Sequence, residues 1–458
     1  MRHTIRIALF SFLLLSSFVC ADAQQPASAD LRAAASKGCD KAKQLAGLAP
    51  AVCALGNVER RHIVADVFEY SFTLKVGEGE HDVVGVHRVV RERANGVAHR
   101  ADRALFMVHG DLWGFDEAFM SSTLSGAVAR EHSLGVYLAR RGVDVWGIDL
   151  RWRQVPADTT DFTFMKDWNI GTHVKDIAAA VGVARSVRSA TGSGDGRVAL
   201  LGWSRGGAIA YAYANEETRL PEASRQVGAL IPFDIAYKLN PEHEAQRVAA
   251  CTRYAAEKAA LDAGVYVSPL GGGVKTFGLL AATAPDEPSP VPGFTGLTNR
   301  QVALMVGSAT HLLFAPYPPV PFYHLNAATF DGATNLPTGL QFTREAYLYD
   351  FYQTAAPFQS STEQAENDAV LCGETATPYD DRLNQVNIPV LYVGAGGGFG
   401  EFGVDTLARL GSADATTHVV NLYGPGARPV EFGHADLLMA DNAKELVWSP
   451  LYDWLVSH

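Results

Sequence analysis

From residue 104 onward the chain repeats one pattern, a short continuous apolar run followed by a longer stretch with helical periodicity. The runs are 104–108, 143–148, 197–201 and 227–231. Between them, 125–141 and 172–190 read as helices, the second placing Val174, Ile177, Ala178, Val181 and Ala184 on one face. A strand covered on both faces has no reason to alternate apolar and polar residues. Such runs joined by helices therefore point to a parallel sheet with helices on either side. The expected fold class is α/β, a mostly parallel, doubly wound sheet.

The pattern has clear interruptions. Residues 24–66 are Ala-rich and moderately polar and read as an N-terminal extension, whereas 67–74 alternates like a half-buried strand and 83–90 like its return. Residues 238–378 are rich in Pro, Gly and aromatics, and apolar runs resume only at 388–393 and 417–422. The expected organisation is a core in two parts, 67–237 and 379–458, with a cap inserted at 238–378. The first residues form a further unit: Arg2 and Arg6 precede an apolar run ending at Val19, and Ala21-Asp22-Ala23 offers small residues where a signal peptidase cuts. That run is too short to cross a hydrocarbon layer of ~30 Å, which takes about 20 helical residues. Residues 1–23 thus read as a signal peptide cleaved near Ala23, giving a secreted or periplasmic product with no stable membrane anchor.

Cleavage there removes Cys20 and leaves Cys39, Cys53, Cys251 and Cys372. In an exported chain an even set suggests disulfides, and Cys39–Cys53 with Cys251–Cys372 is the pairing we favour, the second stapling both ends of the inserted region. No C-x-x-C or H-x-x-x-H spacing suggests a metal site. The formal charge of -11 without a dense basic run argues against a nucleic-acid partner. No sequence feature calls for a cofactor, and none fixes the oligomeric state.

One motif carries chemistry. Gly202-Trp203-Ser204-Arg205-Gly206 is the chain's single G-x-S-x-G, and it starts where the run 197–201 ends and a helical stretch begins. A nucleophile on so tight a strand-to-helix turn is pushed clear of the backbone, and side chains two residues either side would collide. Gly207 gives further room for packing helix on strand. Here the chain resembles the α/β-hydrolase family over residues 67–458, in strand order and four short segments. The resemblance implies an eight-stranded, mostly parallel sheet, a nucleophile after the fifth strand, and a triad in the order Ser, acid, His.

The other segments follow from that likeness. His109-Gly110-Asp111-Leu112 matches the family's oxyanion loop, which makes the backbone N–H groups of Asp111 or Leu112 and of Arg205 the expected oxyanion donors, with His109 structural. His434 lies after the last expected strand and before the closing helix, where the family keeps its base; His418 and His458 fit worse. The acid is expected after the strand ending at Val393, in the Gly-rich loop 394–405. Glu401 is favoured because nothing else explains it, Asp405 comes second as a helix N-cap, and Asp234 third, one strand earlier. Asp436 reads as a structural partner of the His434 loop.

The resemblance implies a hydrolase with a Ser204 acyl-enzyme and a carboxylic ester as substrate. A peptidase or amidase, a lactone or carbon–carbon bond hydrolase, or a non-catalytic binding protein of this fold are the rival readings. Aromatics of the insertion (Phe314, Tyr317, Phe322, Tyr323, Phe342, Tyr347, Tyr349, Phe351 and Tyr352) suggest a partner with an apolar or aromatic group, although most are expected to form the cap's own core.

Overall fold

The apolar runs are strands of one sheet in the computed structural model, which describes residues 26–458 apart from 46, 375 and 425. The expected cleavage point at Ala23 lies outside the described residues. Helix α1 (Pro26–Ala42) precedes the antiparallel strands β1 (Ala54–Val64), β2 (Val67–Lys75) and β3 (Val83–Ala94), with β4 (Val97–Ala98) turning back on β3. Then β5 (Ala104–Val108), β6 (Asp144–Asp149), β7 (Val198–Trp203) and β8 (Val227–Phe233) alternate with α2 (Phe115–Phe119), α3 (Leu134–Arg140), α4 (Ile170–Ala190) and α5 (Arg205–Glu217).

Beyond β8 the chain leaves the sheet. It forms α6 (Glu244–Asp262), β9 (Val267–Ser268), α7 (Leu270–Thr283), α8 (Asn299–Ser308), β10 (Ala328–Phe330), β11 (Pro337–Leu340), α9 (Glu345–Gln353), β12 (Gln359–Ser360) and α10 (Ser361–Cys372). It returns through β13 (Val390–Ala395) and β14 (Ala415–Val420). The sheet order is β1-β2-β3-β6-β5-β7-β8-β13-β14, and every pairing from β6 to β14 is parallel. Each residue of β5, β7 and β13 is buried, which is why their sequences show no alternation.

Three expectations change. The sheet has ten strands and not eight, because antiparallel strands are added ahead of β5, and Ser204 follows β7 and not the fifth strand. The sheet begins at Ala54, inside the segment read as an extension, because β1 pairs with β2 from Ala54 to Val64, with two register shifts. As an edge strand β1 keeps polar side chains: Arg60 pairs with Glu92 and Arg61 with Glu69, so its sequence lacks the apolar signal of a core strand. The helix expected over 125–141 is confined to Leu134–Arg140.

Both expected disulfides are present. Cys39–Cys53 ties α1 to the chain entering β1, and Cys251–Cys372 joins α6 to the end of α10. Among the described residues, no helix is long and apolar enough to cross a membrane.

Candidate active site

Ser204 sits between β7 and α5 with φ 55° and ψ -130°, a conformation L-residues rarely adopt. Its neighbours explain how the turn closes. A Cβ on Gly202 would stand 2.1 Å from the Gly206 carbonyl oxygen, and one on Gly206 would stand 2.2 Å from that of Val108. Only glycine fits at either place, because the obstacles are backbone atoms. The Ser204 N–H donates to the Phe233 carbonyl at 2.9 Å, fixing the turn to the end of β8.

The residue after Phe233 is Asp234, and its Oδ2 lies 2.6 Å from His434 Nδ1. Asp234 is fully buried and also accepts backbone N–H bonds from Ala395 (2.9 Å), Phe399 (3.1 Å) and Gly400 (2.9 Å). The Gly-rich run after β13 is thus a cage of amides around a carboxylate. It does not present an acid of its own. Glu401, favoured from sequence, points to the surface: its side chain is 56% exposed and pairs with Arg428 at 3.2 Å. Asp405 is turned toward the inserted segment, where it meets His243 Nδ1 at 2.6 Å and the Asn240 amide. Asp234, ranked third, is the carboxylate on His434.

His434 is buried, and the Trp203 ring stacks on it with centroids 4.9 Å apart. Its loop hangs on the inserted segment: the N–H groups of His434 and Ala435 donate to the carbonyls of His324 and Leu325. Asp436 stabilises this bend, accepting from the Gly433 and Ala327 N–H groups and from Asn326 and Thr343. Ser204 and His434 line the same cavity of about 270 Å³. Asp111, Leu112, Trp113, Arg205 and Gln359 line it as well.

The expected oxyanion loop lies against the nucleophile, since a Cβ on Gly110 would come within 2.7 Å of the Ser204 Cβ. His109 is buried and structural: Nε2 accepts the Leu150 N–H at 3.0 Å, so Nδ1 carries the proton toward the Gly110 carbonyl. Burial lowers its pKa, favouring that neutral ring. Leu112 has φ 69°, and its N–H donates to Gln359 Oε1 at 3.3 Å. In this arrangement the Leu112 amide is engaged, which leaves those of Asp111 and Arg205 as the candidate pair. The Arg205 amide belongs to the first turn of α5, where N–H groups lack intrahelical partners.

The Asp111 carboxylate turns away and forms a bidentate pair with the Arg205 guanidinium at 2.6 and 3.0 Å, also accepting from Gln359 Nε2. Burial opposes the guanidinium charge, yet Asp111 more than offsets this and the Arg205 pKa ends above its usual value. Nothing in the sequence singles out Gln359, which lies far from any motif.

Of the aromatics in the insertion, Phe314 and Tyr323 line the cavity, whereas Tyr347, Phe351 and Tyr352 are buried and Tyr317 and Phe322 lie exposed.

No family model matches the sequence, and no curated protein does. Solved structures do match. A protein from Sulfolobus solfataricus assigned as a lipase is similar over 88% of this chain and 99% of its own, at 18% identity and a TM-score of 0.57. The fold is that of the α/β-hydrolases. Weaker likenesses include the monoglyceride lipase of Saccharomyces cerevisiae (12% identity, 88% of this chain and 96% of that one, TM-score 0.38). The enol-lactonase of Burkholderia xenovorans is similar at 13% identity over 82% of this chain and 97% of its own, with a TM-score of 0.34. At these identities the α/β-hydrolase fold is what the likeness establishes, and chemistry has to be argued from the site.

Proposed function

We propose that this chain is a serine hydrolase that cleaves a carboxylic ester through an acyl-enzyme on Ser204. The observation that carries the reading is the 2.6 Å contact of Asp234 with His434 Nδ1, made beside a serine in a strained strand-to-helix turn on the same cavity. An ionised carboxylate on Nδ1 fixes the proton there and leaves Nε2 to take the Ser204 proton. The alkoxide formed on attack is held by the N–H groups of Arg205 and Asp111, each such donor being worth roughly 3 kcal/mol. His434 then returns its proton to the leaving alcohol, and water repeats the sequence to release the acid.

An ester is favoured by the apolar part of the lining, with Val274, Val306, Leu313, Phe314 and Leu325 facing the cavity. The disulfides suit an oxidising compartment, in line with an exported protein.

A fluorophosphonate probe tests the mechanism: it labels the wild-type protein and not Ser204→Ala. Folded wild-type protein that stays unlabelled rejects it. A panel of nitrophenyl esters and amino-acyl anilides tests the substrate class, with faster turnover of anilides moving the assignment to a peptidase or amidase.

A further inference from the structure

Helices α6 and α10 form a cavity wall of mostly polar side chains, with Leu371 the apolar residue among them. Glu257 projects from α6, and Gln364 and Asn367 from α10, and all three line the cavity that holds Ser204. The wall is braced in two ways. Cys251–Cys372 links the helices covalently, and Arg253 on α6 grips Asp368 on α10 through bonds of 2.8 and 2.7 Å. The two braces hold the helices against each other.

Two polar atoms of this wall are unsatisfied. Glu257 Oε2 and Asn367 Oδ1 are both buried without a hydrogen-bond partner among the described residues, and Asn367 is only 8% exposed. Buried groups of this kind are nearly always paired, so an unpaired set on a binding cavity calls for a partner from the ligand. The charges around them are already balanced: Arg205 pairs with Asp111 and Arg253 with Asp368.

We infer that this wall selects, at the ester site proposed above, a substrate whose half seated against α6 and α10 carries uncharged hydroxyl groups. A hydroxyl donates to Asn367 Oδ1 and exchanges hydrogen bonds with the Glu257 carboxyl, whereas a hydrocarbon leaves both unpaired and an ionic group adds a charge the wall does not answer. Burial, reinforced by the nearby Asp368 charge and opposed by Arg205 and Arg253, pushes the Glu257 carboxyl up to about 8. At neutral pH it is therefore protonated and able to donate as well as accept. The other half of the ester lies against the apolar lining, so the preferred substrate is amphipathic.

Binding to Ser204→Ala protein separates this inference from the catalytic reading, because no turnover is needed. The probes are the hexyl monoether of glycerol, hexyl propyl ether and the hexyl ether of choline, compared by calorimetry. The glycerol ether binds about tenfold more tightly than hexyl propyl ether, a difference of about 1.4 kcal/mol. Adding Glu257→Leu or Asn367→Leu weakens the glycerol ether and removes that margin. Glu257 as a whole residue is less buried than Asn367, so its variant is the one expected to fold if only one does. Equal binding of the two neutral ethers, tightest binding of the choline ether, or variants that weaken all probes alike overturn the inference. A wild-type protein that fluorophosphonate does not label defeats the hydrolase reading and leaves this binding preference standing.

Discussion

Asp234 Oδ2 and His434 Nδ1 are 2.6 Å apart although 200 residues separate them in the chain. Three backbone amides also hold Asp234, two on Oδ1 and one on Oδ2, so the carboxylate cannot swing away from the imidazole. Asp234→Asn keeps the shape and loses the charge that orients the ring. Its kcat is expected to fall by about 10⁴, the scale known for this change in a serine triad, with KM nearly constant. Glu401→Gln touches only a surface pair with Arg428 and should stay within about twofold of wild type. Steady-state kinetics on one ester decides between them, and the reverse ranking would return the acid to the Gly-rich loop.

The reach and the limit of the sequence both show in that pair. The parallel strands, the turn at Ser204 and the place of His434 are local patterns, and a local pattern survives in one dimension. The carboxylate that meets His434 is not local. Asp234 has no motif around it, and the Gly-rich loop after β13 reads in sequence as the carrier of Glu401. Its amides in fact serve an aspartate on the neighbouring strand. β1 was obscured for a different reason: an edge strand answers its charges sideways, Arg60 to Glu92 and Arg61 to Glu69, and so carries no apolar alternation. Gln359 was invisible because its role arises only when the insertion folds back onto Leu112.

The Asp111–Arg205 pair joins the oxyanion loop to the first residue of α5. Asp111→Ala leaves the guanidinium without its partner and frees the loop. Because both side chains are partly exposed, the stability loss is expected at about 2 kcal/mol, between the values for surface and buried pairs. A displaced oxyanion donor should lower kcat by about 10- to 100-fold while KM changes little. Thermal unfolding and kinetics measured together test the link. A loss of stability with undiminished kcat would show that the pair is a brace only.

Removing the disulfides should have unequal effects. Cys251–Cys372 closes a loop with a sequence separation of 121, and Cys39–Cys53 one of 14. Loop-closure entropy assigns them about 5 and about 3 kcal/mol in the unfolded chain. The double variant Cys251→Ala/Cys372→Ala is expected to unfold at the lower guanidinium midpoint. It should also lose more activity, since those cysteines join the two helices of the cavity's polar wall. Equal midpoints for the two double variants would refute the ordering.

Glu217, at the end of α5, offers a test of pH dependence. Burial raises its carboxyl from 4.5 to about 7, against the opposing effect of the N–H groups of Gln226 and Val227, which bond to it. The unfolded chain ionises this group first, so between these two values the unfolded state has released a proton that the folded state keeps. Stability from this group is therefore fully present below the unfolded pKa and is lost as pH rises through about 7. The whole span amounts to about 3 kcal/mol at 1.36 kcal/mol per unit. Glu217→Gln cannot ionise and retains a carbonyl for the Gln226 N–H. Compared with this variant, the wild type should lose about 3 kcal/mol of relative stability between about pH 4 and pH 8 in urea unfolding. Parallel pH profiles for the two proteins would mean that Glu217 ionises alike in both states, with the amides at the start of β8 outweighing its burial.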